Sequence, residues 1–242
     1  MPDYSASIII PARNEAGTIK KIAYRLPQLG ERTELIFIEG RSSDDTWDEI
    51  ESTVKAYSGS KILKYAKQDG EGKGDAVRKG FDMATGDILI IYDADMSVPP
   101  QEIIPFYTAL IEHKADFVNG SRFIYPMEKR AMYPLNYLGN KFFNYTFWWI
   151  FGQKITDTLC GTKALWKKDY EKIKAERHHF GNFDPFGDFN LLFGAARLGL
   201  KIIDMPIHYK ARVYGTTNNT SRWRHGWLLL KMVLFAIRKI KN

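Results

Sequence analysis

Short hydrophobic runs alternate with longer segments of mixed polarity along the first half of the chain. The clearest run, Leu89-Ile90-Ile91-Tyr92, is apolar without alternation and lies between Gly86 and Pro99. Such a run is typical of a strand that is buried on both faces of a parallel sheet. Further strands are predicted at 6–11, 34–39 and 61–66 and in a short segment ending at Asn119, and helices at about 16–29 and 100–113 and in segments ending near Tyr57 and Ala84. This alternation predicts an α/β fold, with a mostly parallel sheet wound with helices on both faces.

The pattern changes after Arg122. Residues 125–133 combine charges with prolines and are predicted to form a loop. The segment 136–151 has the length of a helix and is heavily aromatic, with asparagines at every fourth position and a wide apolar face. The asparagines are Asn136, Asn140 and Asn144, and the apolar face comprises Phe142, Phe143, Phe147, Trp149 and Ile150.

The last part of the chain is predicted to contain a strand at 201–209 and a second amphipathic helix at 223–241. Arg224, Lys231 and Arg238 share one face of this helix, and its other face is apolar. We therefore expect one α/β domain at 1–212, with halves at 1–122 and 123–212, followed by a basic loop and amphipathic helix at 213–242.

The composition supports a sizeable hydrophobic core and an anionic partner. The chain has 242 residues, of which 45% are hydrophobic, and a formal net charge of +7. A basic protein attracts nucleotides, phosphates and acidic headgroups, whereas no zinc-finger, RNP or basic-zipper pattern indicates a nucleic acid. Cys160 is the only cysteine, so no disulfide is expected and a reducing compartment is the default. No signal peptide is expected, and no apolar run reaches the ~20 residues that span a bilayer.

Two carboxylates, Asp93 and Asp95, come directly after the clearest apolar run. Ligands of an open α/β sheet bind just beyond the carboxyl ends of its strands. Carboxylate oxygens suit Mg²⁺ or Mn²⁺, and these ions usually accompany a substrate diphosphate. An isolated Asp-x-Asp also has a second interpretation, as a helix cap or a turn before Pro99 and Pro100.

Six short motifs follow one another along the chain. They are Pro11-Ala12-Arg13-Asn14-Glu15, residues 39–46 (EGRSSDDT), Gly72-Lys73-Gly74, Asp93-Ala94-Asp95, Gly120-Ser121-Arg122 and residues 157–163 (DTLCGTK). With these motifs the chain resembles the family-2 nucleotide-sugar glycosyltransferases from Ser5 to about Asn218, and within that family the enzymes similar to dolichol-phosphate mannosyltransferase. The resemblance implies the GT-A fold, which is a Rossmann-like sheet, and transfer of a sugar from a nucleoside diphosphate to a polyprenyl phosphate.

The resemblance also implies which residues bind the donor. They are Pro11, Ala12, Arg13 and Glu15 near the base and ribose, Glu39 at the base, Lys73 and Arg122 at the diphosphate, Asp93 at the ribose, and Ala94 between the two aspartates. Asp95 is expected to be the main metal ligand, and Asp93 to reach the metal through water; both are candidate catalytic residues. Glu39 stands where the family often has aspartate, so the identity of the base stays open.

Three of these residues have a second interpretation. Glu15 is equally suited to compensating a helix dipole. The glycine-rich turn around Lys73 is also an ordinary helix entry, since it matches neither a P-loop nor a dinucleotide fingerprint. Arg122, expected to make bidentate hydrogen bonds to the diphosphate, is otherwise part of a surface ion pair.

A phosphate acceptor needs cations rather than a general base, because its second pKa is about 6 and it is already an anion at neutral pH. The basic residues in the two loops where the subgroup holds this phosphate are Lys129, Arg130, Lys210 and Arg212. Asp157 resembles a position beside the acceptor site, and a structural role in a turn is the alternative. A hydroxyl acceptor would need a base; Asp188 matches the region where glycan-acceptor relatives keep one, and it is otherwise a carboxylate at a helix N-terminus.

Two departures from the family pattern refine the expectation. Asn219 stands where processive polysaccharide synthases have the glutamine of Gln-x-x-Arg-Trp, so processive polymerisation is disfavoured. Residues 215–218, GTTN, replace Gly-x-Ser-Lys, so one expected cation of the phosphate site is missing.

We therefore predict an inverting glycosyltransferase, dependent on Mg²⁺ or Mn²⁺, that moves a sugar from a GDP- or UDP-sugar to a polyprenyl phosphate. The two aromatic amphipathic helices indicate peripheral attachment to the cytoplasmic face of a membrane, unless both pack internally. Three alternatives stay open: transfer to a hydroxyl acceptor with Asp188 as the base, a nucleotidyltransferase, and a non-catalytic binder of sugar nucleotides.

Overall fold

One sheet organises the protein, which is represented by a computed structural model that describes residues 3–125, 134–176 and 187–215. Within these residues seven strands lie in the order β3-β2-β1-β4-β6-β5-β7. They are β1 (Ala6–Ala12), β2 (Thr33–Glu39), β3 (Ile62–Lys67), β4 (Ile88–Ile91), β5 (Phe117–Ser121), β6 (Lys163–Trp166) and β7 (Ile202–Pro206). All neighbouring pairs are parallel except those of β6, which runs antiparallel to β4 and β5. The predicted α/β class with a mostly parallel sheet is confirmed.

The helices occupy most of the segments between the strands. They are α1 (Ala16–Arg25), α2 (Thr46–Ala56), α3 (Lys73–Met83), α4 (Ile104–Ile111) with a preceding 3₁₀ turn (Pro100–Ile103), α5 (Pro134–Phe151), α6 (Lys167–Ala175) and α7 (Asp188–Arg197). Helix α1 ends four residues before the predicted Leu29, because Leu26 precedes a proline and is extended, with φ −61° and ψ 135°.

The hydrophobic core lies on both faces of the sheet, since alternate residues of a strand point to opposite faces. Ile8 and Ile10 of β1 belong to one core cluster, together with Ile19 of α1. Ile9 belongs to the other cluster, together with Val77 of α3. Helices on both faces leave the carboxyl ends of the parallel strands as the open edge of the sheet.

Two elements of the second half, β6 and α6, are not predicted by the sequence pattern, and α7 is indicated only by the alternative interpretation of Asp188 as a carboxylate at a helix N-terminus. Strand β6 has only four residues and begins with Lys163, which is fully buried. Its antiparallel pairing places it between β4 and β5, with Ile91 opposite Lys163. A charged residue and a short length both weaken the sequence pattern that indicates a strand. In the folded protein, the buried ammonium group of Lys163 donates a hydrogen bond to the carbonyl of Cys160.

Helix α5 is present as predicted, but its faces differ from the expectation. Asn140 is fully buried, and Phe143 and Phe147 pack into the core beside it. Phe142 and Trp149, assigned to the same face from sequence, are about half exposed, at 52% and 48%. The described aromatic residues thus divide between a core-facing side and an exposed side, and Asn140 and Asn144 face inward.

The predicted C-terminal helix at 223–241 and the loop residues Lys129 and Arg130 lie outside the described residues. In the part of the chain that the structure describes, no helix combines the length and apolar character needed to cross a membrane.

Candidate active site

The ends of β1 and β2 bring the predicted nucleotide-binding residues together at one edge. Ala12 and Glu39 are direct partners in the sheet, and the N–H of Gly40 donates to the carbonyl of Ala12 at 2.8 Å. The Glu39 carboxylate is buried and accepts a hydrogen bond from the Ser42 N–H at 2.5 Å. The residues predicted at the base therefore lie side by side.

The loop after β1 is fastened to the loop after β2. Asn14 has a positive φ of 57°, a conformation that asparagine tolerates better than most residues. Its side-chain oxygen accepts from the Ser43 N–H at 2.8 Å, and its own N–H donates to Ser42 Oγ at 3.0 Å. Asp44 accepts from the Thr46 N–H at 3.1 Å. These bonds hold Arg13 and Glu15 at fixed positions beside the strand ends.

Asp93 and Asp95 follow β4 at this edge, and each carboxylate contacts a cation. Lys73 Nζ lies 2.5 Å from Asp93 Oδ1. Arg212 Nη2 lies 3.1 Å from Asp95 Oδ2, while Asp95 Oδ1 accepts from the Ser97 N–H at 2.9 Å. Lys73 and Arg212 were predicted to hold the donor diphosphate and the acceptor phosphate, and the structure brings both to the acidic pair.

Gly161 allows the Lys73–Asp93 pair to form. A Cβ atom at this position would collide with Lys73 Nζ and with the Asp93 carboxylate. Backbone of the 157–163 motif therefore lies directly against the predicted metal site, which a side chain at residue 161 would obstruct.

Glu15 is a buried carboxylate beside the acidic pair. Arg212 Nη1 lies 2.5 Å from Glu15 Oε1, whereas Glu15 Oε2 is buried and has no hydrogen-bond partner in the described residues. Burial raises the pKa of Glu15 from 4.5 to about 7; Arg212 opposes this rise, and the negative charge of Asp95 adds to it. A low dielectric disfavours the charged form of a carboxyl group, so Arg212 is the contact that supports ionised Glu15.

Arg122 and Asp157, predicted in separate roles, form one buried ion pair. Arg122 Nε and Nη2 lie 2.6 and 2.8 Å from the two carboxylate oxygens. Burial opposes ionisation of Asp157, but Arg122 outweighs it and lowers the pKa of that carboxyl. Asn140 of α5 also donates to Asp157 at 2.5 Å, and the guanidinium lies 5.2 Å from the ring of Tyr209. The bidentate hydrogen bonds expected for a diphosphate are made to Asp157 here.

Asp188 is the first residue of α7, and its side chain lies outside the described part of the structure, as does Arg130. The preceding residue, Gly187, has a positive φ of 77°. It packs closely on Gly74, because a Cβ atom added at Gly187 would lie 2.9 Å from the Cα of Gly74. The N-terminus of α7 therefore adjoins the N-terminus of α3, which carries Lys73.

The segment that carries Arg212 crosses the open edge of the sheet. The N–H of Lys210 donates to the carbonyl of Ser97 at 2.8 Å, and the N–H of Val213 donates to the carbonyl of Asp95 at 3.2 Å. Tyr214, which no sequence motif indicates, lies on Gly17 of α1. The sequence feature that could have indicated this contact is Gly17 itself. Glycine lowers helix propensity, so a glycine in the first turn of a helix suggests that another group packs closely against it.

The donor set fits a divalent cation that is bound jointly with a diphosphate. The described residues contain no group of three or more His, Cys, Asp and Glu side chains able to hold a metal by themselves. Mg²⁺ usually takes one or two carboxylates and completes its shell with phosphate oxygens and water. Asp95 and Asp93 supply such oxygens, and each already faces a cationic partner.

The fold and this edge define a GT-A protein, and solved structures share the architecture. Mannosyl-3-phosphoglycerate synthase from Rubrobacter xylanophilus matches with a TM-score of 0.68 and 17% identity over 97% of this chain and 74% of that chain. Glucosyl-3-phosphoglycerate synthase from Mycobacterium tuberculosis, in complex with Mn²⁺, UDP and glucosyl-3-phosphoglycerate, matches with a TM-score of 0.64 and 16% identity over 98% and 80% of the two chains. Residues 7–174 match the family model of glycosyl transferase family 2, so the chain belongs to this family.

Curated relatives confirm the resemblance to the polyprenyl-phosphate subgroup. Dolichol-phosphate mannosyltransferase from Saccharomyces cerevisiae is 32% identical over 122 residues, which cover 48% of this chain and 44% of that protein. Glycosyltransferase AglJ from Haloferax volcanii is 28% identical over 242 residues, covering 100% of this chain and 74% of that protein. The mannosyltransferase from Pyrococcus furiosus is 31% identical, with 33% of its length matched. The chain thus spans less than half the length of the two mannosyltransferases that it matches.

Proposed function

We propose that the protein transfers a sugar, with inversion, from a nucleoside diphosphate to a polyprenyl phosphate at a membrane surface. The observation that carries this proposal is the position of Arg212, whose guanidinium contacts both Asp95 and Glu15. A cation from the predicted acceptor loop thereby adjoins Asp95, the carboxylate predicted as the main ligand of the donor's metal. The similarity to dolichol-phosphate mannosyltransferases supports the same class of acceptor.

The donor, a GDP- or UDP-sugar, binds across the ends of β1, β2 and β4. Glu39 is oriented by the Ser42 N–H and offers its second carboxylate oxygen to an N–H of the base. Pro11, Ala12 and Arg13 line the base and ribose. A bound Mg²⁺ or Mn²⁺, held by Asp95 with Asp93, would neutralise the charge that develops on the leaving diphosphate. Lys73, 2.5 Å from Asp93, adds positive charge at the same place.

The reaction is a single displacement at the anomeric carbon. An acceptor phosphate oxygen forms the new bond while the bond from that carbon to the diphosphate breaks, and the nucleoside diphosphate leaves with the bonding electrons. No residue has to remove a proton, because the phosphate monoester is already an anion. Arg212 and Lys210 hold the phosphate, for which Arg212 is suited by its bidentate donors.

The exposed side of α5 supports action at a membrane surface. Among the described side chains of α5, four aromatic ones lie there with between 48% and 63% of their surface exposed: Phe142, Tyr145, Trp148 and Trp149. Aromatic residues on one side of an amphipathic helix are suited to the boundary between headgroups and acyl chains.

The test is transfer by purified protein with Mn²⁺, radiolabelled GDP- and UDP-sugars, and either a polyprenyl phosphate or the matching polyprenol. We expect label in the lipid product with the phosphate alone. Transfer to the polyprenol or to a glycan, without transfer to the phosphate, would contradict the proposal.

A second candidate keeps the donor and uses a hydroxyl acceptor, with Asp188 as the general base. The contact of Gly187 with Gly74 favours it, since it brings the start of α7 to the predicted diphosphate site. Asp188→Asn separates the two candidates. The variant retains activity if the acceptor is a phosphate and loses it if the acceptor is a hydroxyl that needs a base.

A further inference from the structure

Residues 207–215 form a strap across the predicted metal site. Backbone hydrogen bonds tie its two ends to the sheet edge: Ile207 N–H to the carbonyl of Ser121 at 3.0 Å, and Val213 N–H to the carbonyl of Asp95 at 3.2 Å. Between them Lys210 bonds to the Ser97 carbonyl. The strap is therefore built on the same turn that presents Asp95.

Arg212 is the residue of the strap that touches the carboxylates. Its two terminal nitrogens divide between Glu15 Oε1 and Asp95 Oδ2. Since Asp95 Oδ1 accepts from the Ser97 N–H, both oxygens of Asp95 have partners while Arg212 is in place. A divalent cation on Asp95 Oδ2 would stand within about 4 Å of the guanidinium, where like charges repel strongly at the low effective dielectric of a partly buried site.

Tyr214 holds the strap in this position. Its ring lies so close to Gly17 that a Cβ atom at Gly17 would collide with ring carbons, including Cε2 at 2.8 Å and Cγ at 2.9 Å. Gly17 is in the first turn of α1, two residues after Glu15. The ring and the guanidinium thus attach the strap to adjacent parts of one element.

We propose that Arg212 and the divalent cation compete for Asp95, and that the seating of Tyr214 on Gly17 holds Arg212 in the competing position. This inference rests on the proposed function only in taking Asp95 as the metal carboxylate. It makes Tyr214 and Gly17 positioning residues. Binding of the metal-bound donor then displaces Arg212 from Asp95.

The test is the affinity for Mn²⁺ alone, measured by the electron paramagnetic resonance signal of free Mn²⁺ in the absence of nucleotide and acceptor. We expect Arg212→Ala to lower the Kd for Mn²⁺ by about fivefold or more, the usual lower range of coupling between two ligands. The Kd of Arg212→Lys should lie between those of the wild type and Arg212→Ala, because one ammonium cannot contact both carboxylates as a guanidinium fork does. The charge-matched control is Lys55→Ala, at an exposed position of α2, which should leave the Kd unchanged.

Gly17→Ala tests the seat of the strap. The added methyl displaces Tyr214, so the Kd for Mn²⁺ should decrease, as in Arg212→Ala, but by a smaller factor. Gly139→Ala is the matched control, since nothing lies within 4 Å of a Cβ placed there. Circular dichroism of each variant verifies folding.

An unchanged or weaker affinity in Arg212→Ala would overturn the inference, because Arg212 would then support the metal carboxylate rather than compete for it. Equal effects of Gly17→Ala and Gly139→Ala on the Kd for Mn²⁺ would also overturn the inference. These outcomes are independent of the acceptor, so failure of transfer to polyprenyl phosphate would reject the proposed function and leave the competition intact.

Discussion

Two buried glutamates carry opposite pKa shifts, and their surroundings explain the difference. Burial raises the pKa of Glu15 to about 7, although the positive charge of Arg212 opposes this rise. Burial also acts to raise the pKa of Glu34, but hydrogen bonds from Lys64, Ser7 and Thr85 outweigh it and lower the pKa to about 2. The carboxylate of Glu34 is satisfied at the start of β2, far along the strand from the site, whereas that of Glu15 has one oxygen without a hydrogen-bond partner among the described residues. An unsatisfied buried carboxylate of this kind is suited to a ligand site.

Glu34 should make folding stability depend on pH. Its pKa is about 4.5 when unfolded and about 2 when folded, so its contribution is fully present above pH 4.5 and is lost as the pH falls towards 2. We expect Glu34→Gln to lower the free energy of unfolding by about 3 kcal/mol at pH 7 and by much less near pH 2. Urea unfolding across this range measures the difference. The control is the exposed Glu31→Gln; a Glu34→Gln penalty that is constant with pH would contradict the assignment.

Asp95 should be required for turnover and dispensable for folding. Asp95→Asn keeps a hydrogen-bond acceptor for the Ser97 N–H but removes the charge that a metal ion needs. We expect Mn²⁺-dependent turnover of the donor to fall by about 100-fold or more, with an unchanged melting temperature. Asp48→Asn, at an exposed position of α2, is the control, and turnover within a factor of two of wild type would contradict the role of Asp95.

The sequence predicts that Asp93 and Asp95 lie at the open edge of the sheet. Ligands of an open α/β sheet bind beyond the carboxyl ends of its strands, and applying this rule requires only the boundary of one strand. It cannot predict that Arg212 contacts Glu15, since 197 residues separate them and only the folded sheet brings them together. For the same reason the pairing of Arg122 with Asp157 emerges only from the structure.

Helix α5 shows why an element can be predicted while its orientation is not. Its asparagines are polar, and a period of four indicates a solvent-facing stripe. In the structure Asn140 and Asn144 instead bind the 156–158 loop, with Asn144 accepting from the Thr158 N–H at 3.1 Å. An irregular loop has backbone donors that must be satisfied, and the asparagines satisfy them. The exposed side is consequently aromatic.

The exposed aromatic side of α5 should bind lipid surfaces. We expect the double change Trp148→Ser and Trp149→Ser to reduce flotation with vesicles of phosphatidylcholine and anionic phosphatidylglycerol, while Mn²⁺ binding stays the same. Tyr24→Ser is the matched control, because Tyr24 is 50% exposed on a different helix. Equal flotation of the double variant and wild type would assign the exposed aromatic residues to another role.

The order of the whole sheet depends on contacts that no local pattern encodes. Strand β6 inserts antiparallel between β4 and β5, so the second half of the chain completes the sheet begun by the first. The loop that leads into β6 carries Asp157, and Arg122 follows β5 directly. The buried pair thus joins the end of β5 to the loop before β6, and Asn140 extends the connection to α5.

Breaking this pair should therefore destabilise the molecule as a whole. Asp157→Asn leaves the guanidinium of Arg122 buried without its counter-charge, and we expect a loss of about 3–5 kcal/mol in the free energy of unfolding, a large part of the usual total. Replacing both partners, as Asp157→Asn with Arg122→Met, should recover part of the loss, because no buried charge remains.

Asp82→Asn is the control for an exposed ion pair, because both side chains of its pair with Lys174 are more than a third exposed. It should change the free energy of unfolding by less than about 1 kcal/mol. Guanidinium unfolding at pH 7 measures all three; a loss in Asp157→Asn no greater than that in Asp82→Asn would show that the pair does not hold the two halves together.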